Sequence, residues 1–97
     1  MAIYIVLINF TDQGIRNVKE TTKRADAVRE MAKKFGVNTK EFFWTLGNYD
    51  LVAIFEAPDD VSMTALGLSI GAAGNVRTQT LRAFSKEDMN EILAKLG

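Results

Sequence analysis

The chain has 97 residues, its 12 lysines and arginines are balanced by 12 aspartates and glutamates, and it has neither cysteine nor histidine. That length suits one domain, so residues 1–97 read as a single unit. Balanced charge counts against a nucleic-acid or anionic-membrane partner, which calls for a basic excess. The missing residue types remove disulfide and thiolate chemistry, the usual general base and the commonest zinc ligand. No metal or cofactor is expected, and a cytoplasmic setting is. No run approaches the roughly 20 apolar residues of a membrane span. The apolar start is too short for one, and no basic segment precedes it, so no secretory leader is expected.

Residues 2–10 (Ala-Ile-Tyr-Ile-Val-Leu-Ile-Asn-Phe) are rich in β-branched and aromatic side chains and predict a central strand. Thr11-Asp12-Gln13-Gly14 predicts a turn. Asn17, with Glu20 three residues on, predicts a capped helix running to about Phe35. Val18, Ala25, Val28, Ala32 and Phe35 form its apolar stripe, and Gly36 suits a left-handed stop. Strands are predicted over roughly 39–46 and 49–56, with Gly47-Asn48 between them as a hairpin. Pro58 ends the latter strand, and Asp59 or Asp60 caps a helix over about 60–73. A fourth strand covers about 75–84. Ser85 and Asp88 form a capping box for a last helix whose apolar face is Met89, Ile92, Leu93 and Leu96.

The order β-α-β-β-α-β, then a helix, is the ferredoxin-like α+β signature with a four-stranded antiparallel sheet. Helices cover one face of such a sheet, and the other normally meets water. Here both faces are apolar. The first strand carries Ile3, Ile5 and Leu7 on one side and Tyr4, Val6, Ile8 and Phe10 on the other. The third sets Leu51, Ala53 and Phe55 against Val52 and Ile54; the second sets Phe42 and Trp44 against Phe43. At ~25 cal/mol per Å2, leaving one apolar face wet forgoes several kcal/mol and makes a sticky patch. One short terminal helix cannot cover four strands. The economical cover is the same face of a second copy, as a homodimer or higher homo-oligomer.

The topology also gathers polar residues. The end of the first strand lies beside the starts of the third and fourth, bringing Thr11 toward Tyr49, Asp50, Arg77 and Thr78, with Arg24 on the same side. A carboxylate, a phenol, guanidinium groups and hydroxyls together suit a small polar ligand; the same groups also suit a structural tie between strand ends. Thr78, Thr80 and Arg82 share one face of the fourth strand, where they line a pocket against a partner or protect an edge. Gly67 and Gly71 suit close approach of another element. The Gly-Ala-Ala-Gly run at 71–74 lacks the lysine of a phosphate loop. Tyr4, Phe43 and Phe55 lack the glycine-aromatic consensus of an RNA-binding sheet.

Leu46-Gly47-Asn48-Tyr49-Asp50-Leu51-Val52, then Glu56-Ala57-Pro58-Asp59-Asp60, Gly74-Asn75-Val76-Arg77-Thr78 and Thr80-Leu81-Arg82-Ala83-Phe84, resemble the GYD-domain family. Thr11, Gly14 and Arg24 also fit. The resemblance implies a ferredoxin-like fold related to dimeric α+β barrels, and it singles out Gly47, Tyr49, Asp50, Arg77 and Thr78. It implies no particular reaction, because related barrels include cofactor-free monooxygenases, ligand-sensing domains and stress proteins. Two function classes therefore stand. One is a homo-oligomeric module that binds a small ligand or regulates. The other is a cofactor-independent oxygenase or isomerase with a small hydrophobic substrate in the barrel cavity, with Tyr49 as hydrogen-bond donor, Asp50 as base and Arg77 holding an oxyanion.

Overall fold

The structure is a computed structural model describing residues 1–97. Its elements are β1 (Ala2–Phe10), α1 (Asp12–Arg16), α2 (Thr21–Lys34), β2 (Asn38–Trp44), β3 (Leu51–Ala57), α3 (Asp60–Ala72), β4 (Val76–Ala83) and α4 (Lys86–Ala94), with a 3-10 turn at Val18–Glu20. The four strands form one antiparallel sheet in the order β2-β3-β1-β4. This is the ferredoxin-like α+β arrangement with one helix added at the end.

The segment after β1 differs from the sequence expectation. The anticipated turn at 11–14 opens the short helix α1, and the cap is Thr11, whose hydroxyl accepts from the Gly14 N–H at 3.1 Å. Asn17 makes no side-chain cap, and α2 begins only at Thr21. Val18 thus falls outside α2 and is exposed, while Ala25 and Ala32 are buried and Val28 and Phe35 pack against the core. A long-range contact overrides the local capping signal: Thr11 donates its backbone N–H to Asn75 O at 3.0 Å and its hydroxyl to Gly74 O at 2.5 Å. The β2–β3 link is also longer than a tight hairpin, spanning residues 45–50. It closes through the Thr45 N–H to Asp50 O at 2.9 Å, with Gly47 at φ 103°, a conformation that favours glycine. Gly36, at φ 72°, ends α2 as expected.

The core lies between the sheet and helices α2 and α3. Tyr4, Val6 and Ile8 of β1 and Leu51, Ala53, Phe55 and Ala57 of β3 face it, joined by Met63, Leu66 and Ile70 of α3. Phe42 meets Phe55 edge-on at 6.0 Å between ring centroids, a favoured aromatic geometry. Ile3, Ile5 and Leu7, with Val52 and Ile54, occupy the opposite face. Their neighbours only half-bury them, and Phe43 and Leu81 beside them are 52% and 39% exposed. No helical residue of the chain closes this face into a second core. Helix α4 has no buried residue, its apolar side remains open at Met89 and Leu93, and Leu96 just beyond its end is exposed.

Two side-chain caps set a pH dependence. Asp59 accepts from the Ser62 N–H at 2.8 Å, and Asp88 accepts from the Ser85 N–H at 3.0 Å within a complete capping box. Each bond favours the ionised carboxyl, so both are held below the usual carboxylate range, chiefly by those backbone bonds. A depressed folded pKa contributes stability above the unfolded value and loses it as pH falls through the folded one. The N-terminal turns of α3 and α4 are therefore expected to hold at neutral pH and to fray on acidification below the ordinary carboxylate range. Amide exchange at Ser62 and Ser85 followed against pH measures this; protection that does not change would show that the caps do not hold these turns.

Candidate functional site

The six residues gathered by topology do converge on one end of the sheet, but they point different ways. Asp50 is a tie: its carboxylate accepts from the Phe10 N–H at 2.8 Å, and its own N–H donates to Ile8 O at 2.8 Å. Thr11 is the cap described above. Arg24 donates to Asn17 O at 2.8 Å and Gly14 O at 3.2 Å, holding the link between α1 and α2. Tyr49 reaches across the end of β1 to donate to Gln79 at 3.2 Å. Arg77 pairs in register with Asn9 and takes part in none of the three ion pairs, which are Lys23–Glu20, Lys33–Glu30 and Lys40–Glu56. Thr78 sits opposite Ile8 on the helix-covered side.

The sheet thus splits the cluster. Gln79 lies beside Leu7 and Arg77 beside Asn9, so Tyr49, Gln79, Arg77 and Asn9 form a polar end to the open apolar face. A second copy stacked on that face would enclose these groups.

Thr78, Thr80 and Arg82 lie on the helix side of the sheet and line a recess beside α3, with Thr80 and Arg82 themselves exposed. This recess of about 420 Å3 also has Tyr4, Asp60 and Thr64 in its walls. Sequence reasoning missed Tyr4 and Asp60. The Tyr4–Arg82 pairing follows from β1–β4 register, but the approach of Asp60 depends on how α3 seats. Tyr4 is 3% exposed and donates its hydroxyl to Asp60. That bond, then burial, then the Asp60 charge raise the phenol above its ordinary pKa. Arg82 lies over the Tyr4 and Phe84 rings, 5.7 and 4.7 Å from their centroids, and donates to Ala83 O. The recess is polar, and its strongest groups already engage one another. Gly67 borders it, and neither Gly67 nor Gly71 has an atom within 4 Å of where a Cβ would stand, so no element of the chain makes the close approach expected there.

A second recess of about 210 Å3 lies between α2, α3 and the sheet. It is walled by Val6, Ile8, Val28, Met31 and Ile70 among others, and its only polar members are Thr21, Arg24 and Asn75. Of these, only Arg24 stood out in the sequence.

Fold and sites together define a ferredoxin-like α+β protein with an unpartnered sheet face. Comparison with known proteins agrees with the fold. The model of the GYD domain matches residues 4–93, and the chain belongs to that family. The chain is similar to the "Glutamine synthetase and cystathionine beta-lyase binding protein" of Thermus thermophilus, with 32% identity over 90 residues covering 92% of this chain and 95% of the relative. It is also similar to the crystal structure of TTHA0845 from the same organism, with a TM-score of 0.57 and 26% identity, covering 88% of this chain and 95% of the other.

Proposed function

We propose that this chain is a homo-oligomeric binding module with a regulatory role, acting in the cytoplasm through contacts to other proteins and to a small ligand. The observation that carries this reading is the open apolar face of Ile3, Ile5, Leu7, Val52 and Ile54, flanked by exposed Phe43 and Leu81. A contiguous face of this kind marks an association surface. Two copies stacked face to face about a two-fold axis would make a dimeric α+β barrel, and Tyr49, Arg77, Gln79 and Asn9 would border its interior. The relative named for binding two enzymes supports protein partners as the output of such a module.

The competing reading, catalysis in a barrel cavity, asks Asp50 to act as a base. Its carboxylate already serves the Phe10 N–H, which favours binding over proton transfer. Size-exclusion chromatography with light scattering tests self-association: a dimer or larger species is expected, and a stable monomer at micromolar concentration would overturn it. Arg77→Ala tests the polar end by thermal shift against a small-molecule library. The expected result is a ligand-induced shift in the parent that the variant loses. If no compound shifts the parent, the cluster serves structure alone.

A further inference from the structure

The recess between α2, α3 and the sheet lies on the other side of the sheet from the proposed association face, and its polar groups share one property. Thr21 accepts the Trp44 indole N–H at 3.0 Å, so its own hydroxyl proton remains to be donated. Asn75 accepts from the Gln13 amide at 3.0 Å through its side-chain oxygen, which leaves its amide hydrogens. Arg24 spends one nitrogen on each of two carbonyls, has no carboxylate partner, and lies 5.9 Å from the centre of the Phe10 ring. The three are close together: Thr21 and Arg24 are one helical turn apart, and both Arg24 and the Asn75 carbonyl abut Gly14. Each of the three has donor capacity left over, beside a positive charge with no ion-pair partner. A carboxylate, which only accepts, matches that set.

The remainder of the recess is apolar. Its 210 Å3 exceeds the roughly 150 Å3 that suffices for a benzene ring. An apolar body seated against these walls would gain burial at ~25 cal/mol per Å2 of apolar surface removed from water. We propose that this cleft binds a small monocarboxylic acid with an aromatic or branched aliphatic body, its carboxylate held by Arg24, Thr21 and Asn75 and its body against Val28, Met31 and Ile70.

Methionine methyl NMR reads the site directly. The chain has four methionines; Met31 lines this cleft, and Met63 lines the recess beside β4 and serves as the control. Titration with phenylacetate or 4-methylpentanoate should move the Met31 methyl saturably and leave Met63 in place. Phenylacetamide, the uncharged counterpart of phenylacetate, should bind about tenfold or more weakly. Arg24→Met should remove the preference for acid over amide. Ala25→Leu, which adds bulk inside the cleft, should abolish the Met31 response to both. The proposal is overturned if neither acid moves Met31 at millimolar concentration, if acid and amide bind alike, or if Arg24→Met keeps the preference. None of these results depends on the oligomeric state, so this site and the association face stand or fall separately.

Discussion

A chain carrying Leu7→Asp is expected to run as a monomer at concentrations where the parent is associated, with its far-UV circular dichroism unchanged. Leu7 is central on the open face, in register with Val52 on one side and Gln79 on the other. In an isolated copy the new carboxylate meets water, and the core behind the sheet keeps Val6 and Ile8 untouched. In a face-to-face pair the two-fold axis brings the change in twice. Losing burial of one leucine costs about 1.5–3 kcal/mol, so two losses weaken the pair by roughly 3 kcal/mol or more, over a hundredfold in its dissociation constant. The unpaired charges add to that penalty. Light scattering that gives the same mass for variant and parent would show that this face is not the contact.

Gly14→Ala is expected to be the most damaging of the glycine-to-alanine changes in the chain. A Cβ at Gly14 would stand 1.9 Å from the Asn75 carbonyl oxygen and 2.9 Å from its carbon, so backbone itself must move. That carbonyl also accepts the Thr11 N–H, so displacing it loosens the joint between the end of β1 and the start of β4. The cost is steric and not conformational, since Gly14 is not among the glycines with positive φ. A loss of about 3 kcal/mol is reasonable for a forced backbone shift. At about 4–8 °C per kcal/mol for a chain of this size, Tm should fall by roughly 12–24 °C. A melting curve that moves by only a degree or two would mean that α1 is not held against Asn75 as described.

Gly14 also shows where the sequence stopped being legible. Strands rich in β-branched residues could be read directly, as could the Ser85–Asp88 cap and, to within one residue (Asp59 or Asp60), the cap of α3, because those signals lie within a few residues of the structure they make. Asn17 carried an equally good local signal and lost. Thr11 competes for the same segment with bonds to Gly74 and Asn75, some sixty residues away, and no local pattern encodes them. The candidate site divides in the same way. Strand order brought Thr11, Arg24, Tyr49, Asp50, Arg77 and Thr78 to one end of the sheet. Which of them face solvent depends on register and on the seating of α2 and α3. Alternation grouped Thr78, Thr80 and Arg82 on one face, yet only the seating of α3 shows that this is the helix side of the sheet.

The hydrogen bond between Trp44 and Thr21 has an optical consequence. Trp44 is the only tryptophan of the chain, half-exposed, with its ring centroid 6.5 Å from that of Phe42. Thr21 and Phe42 both line the apolar cleft, so the indole is joined to two of its wall residues. The chain therefore carries its one tryptophan, selectively excitable at the red edge of protein absorption, at the junction of β2 and α2. Its emission should shift to the red when that junction opens and change when the cleft is filled, without any label.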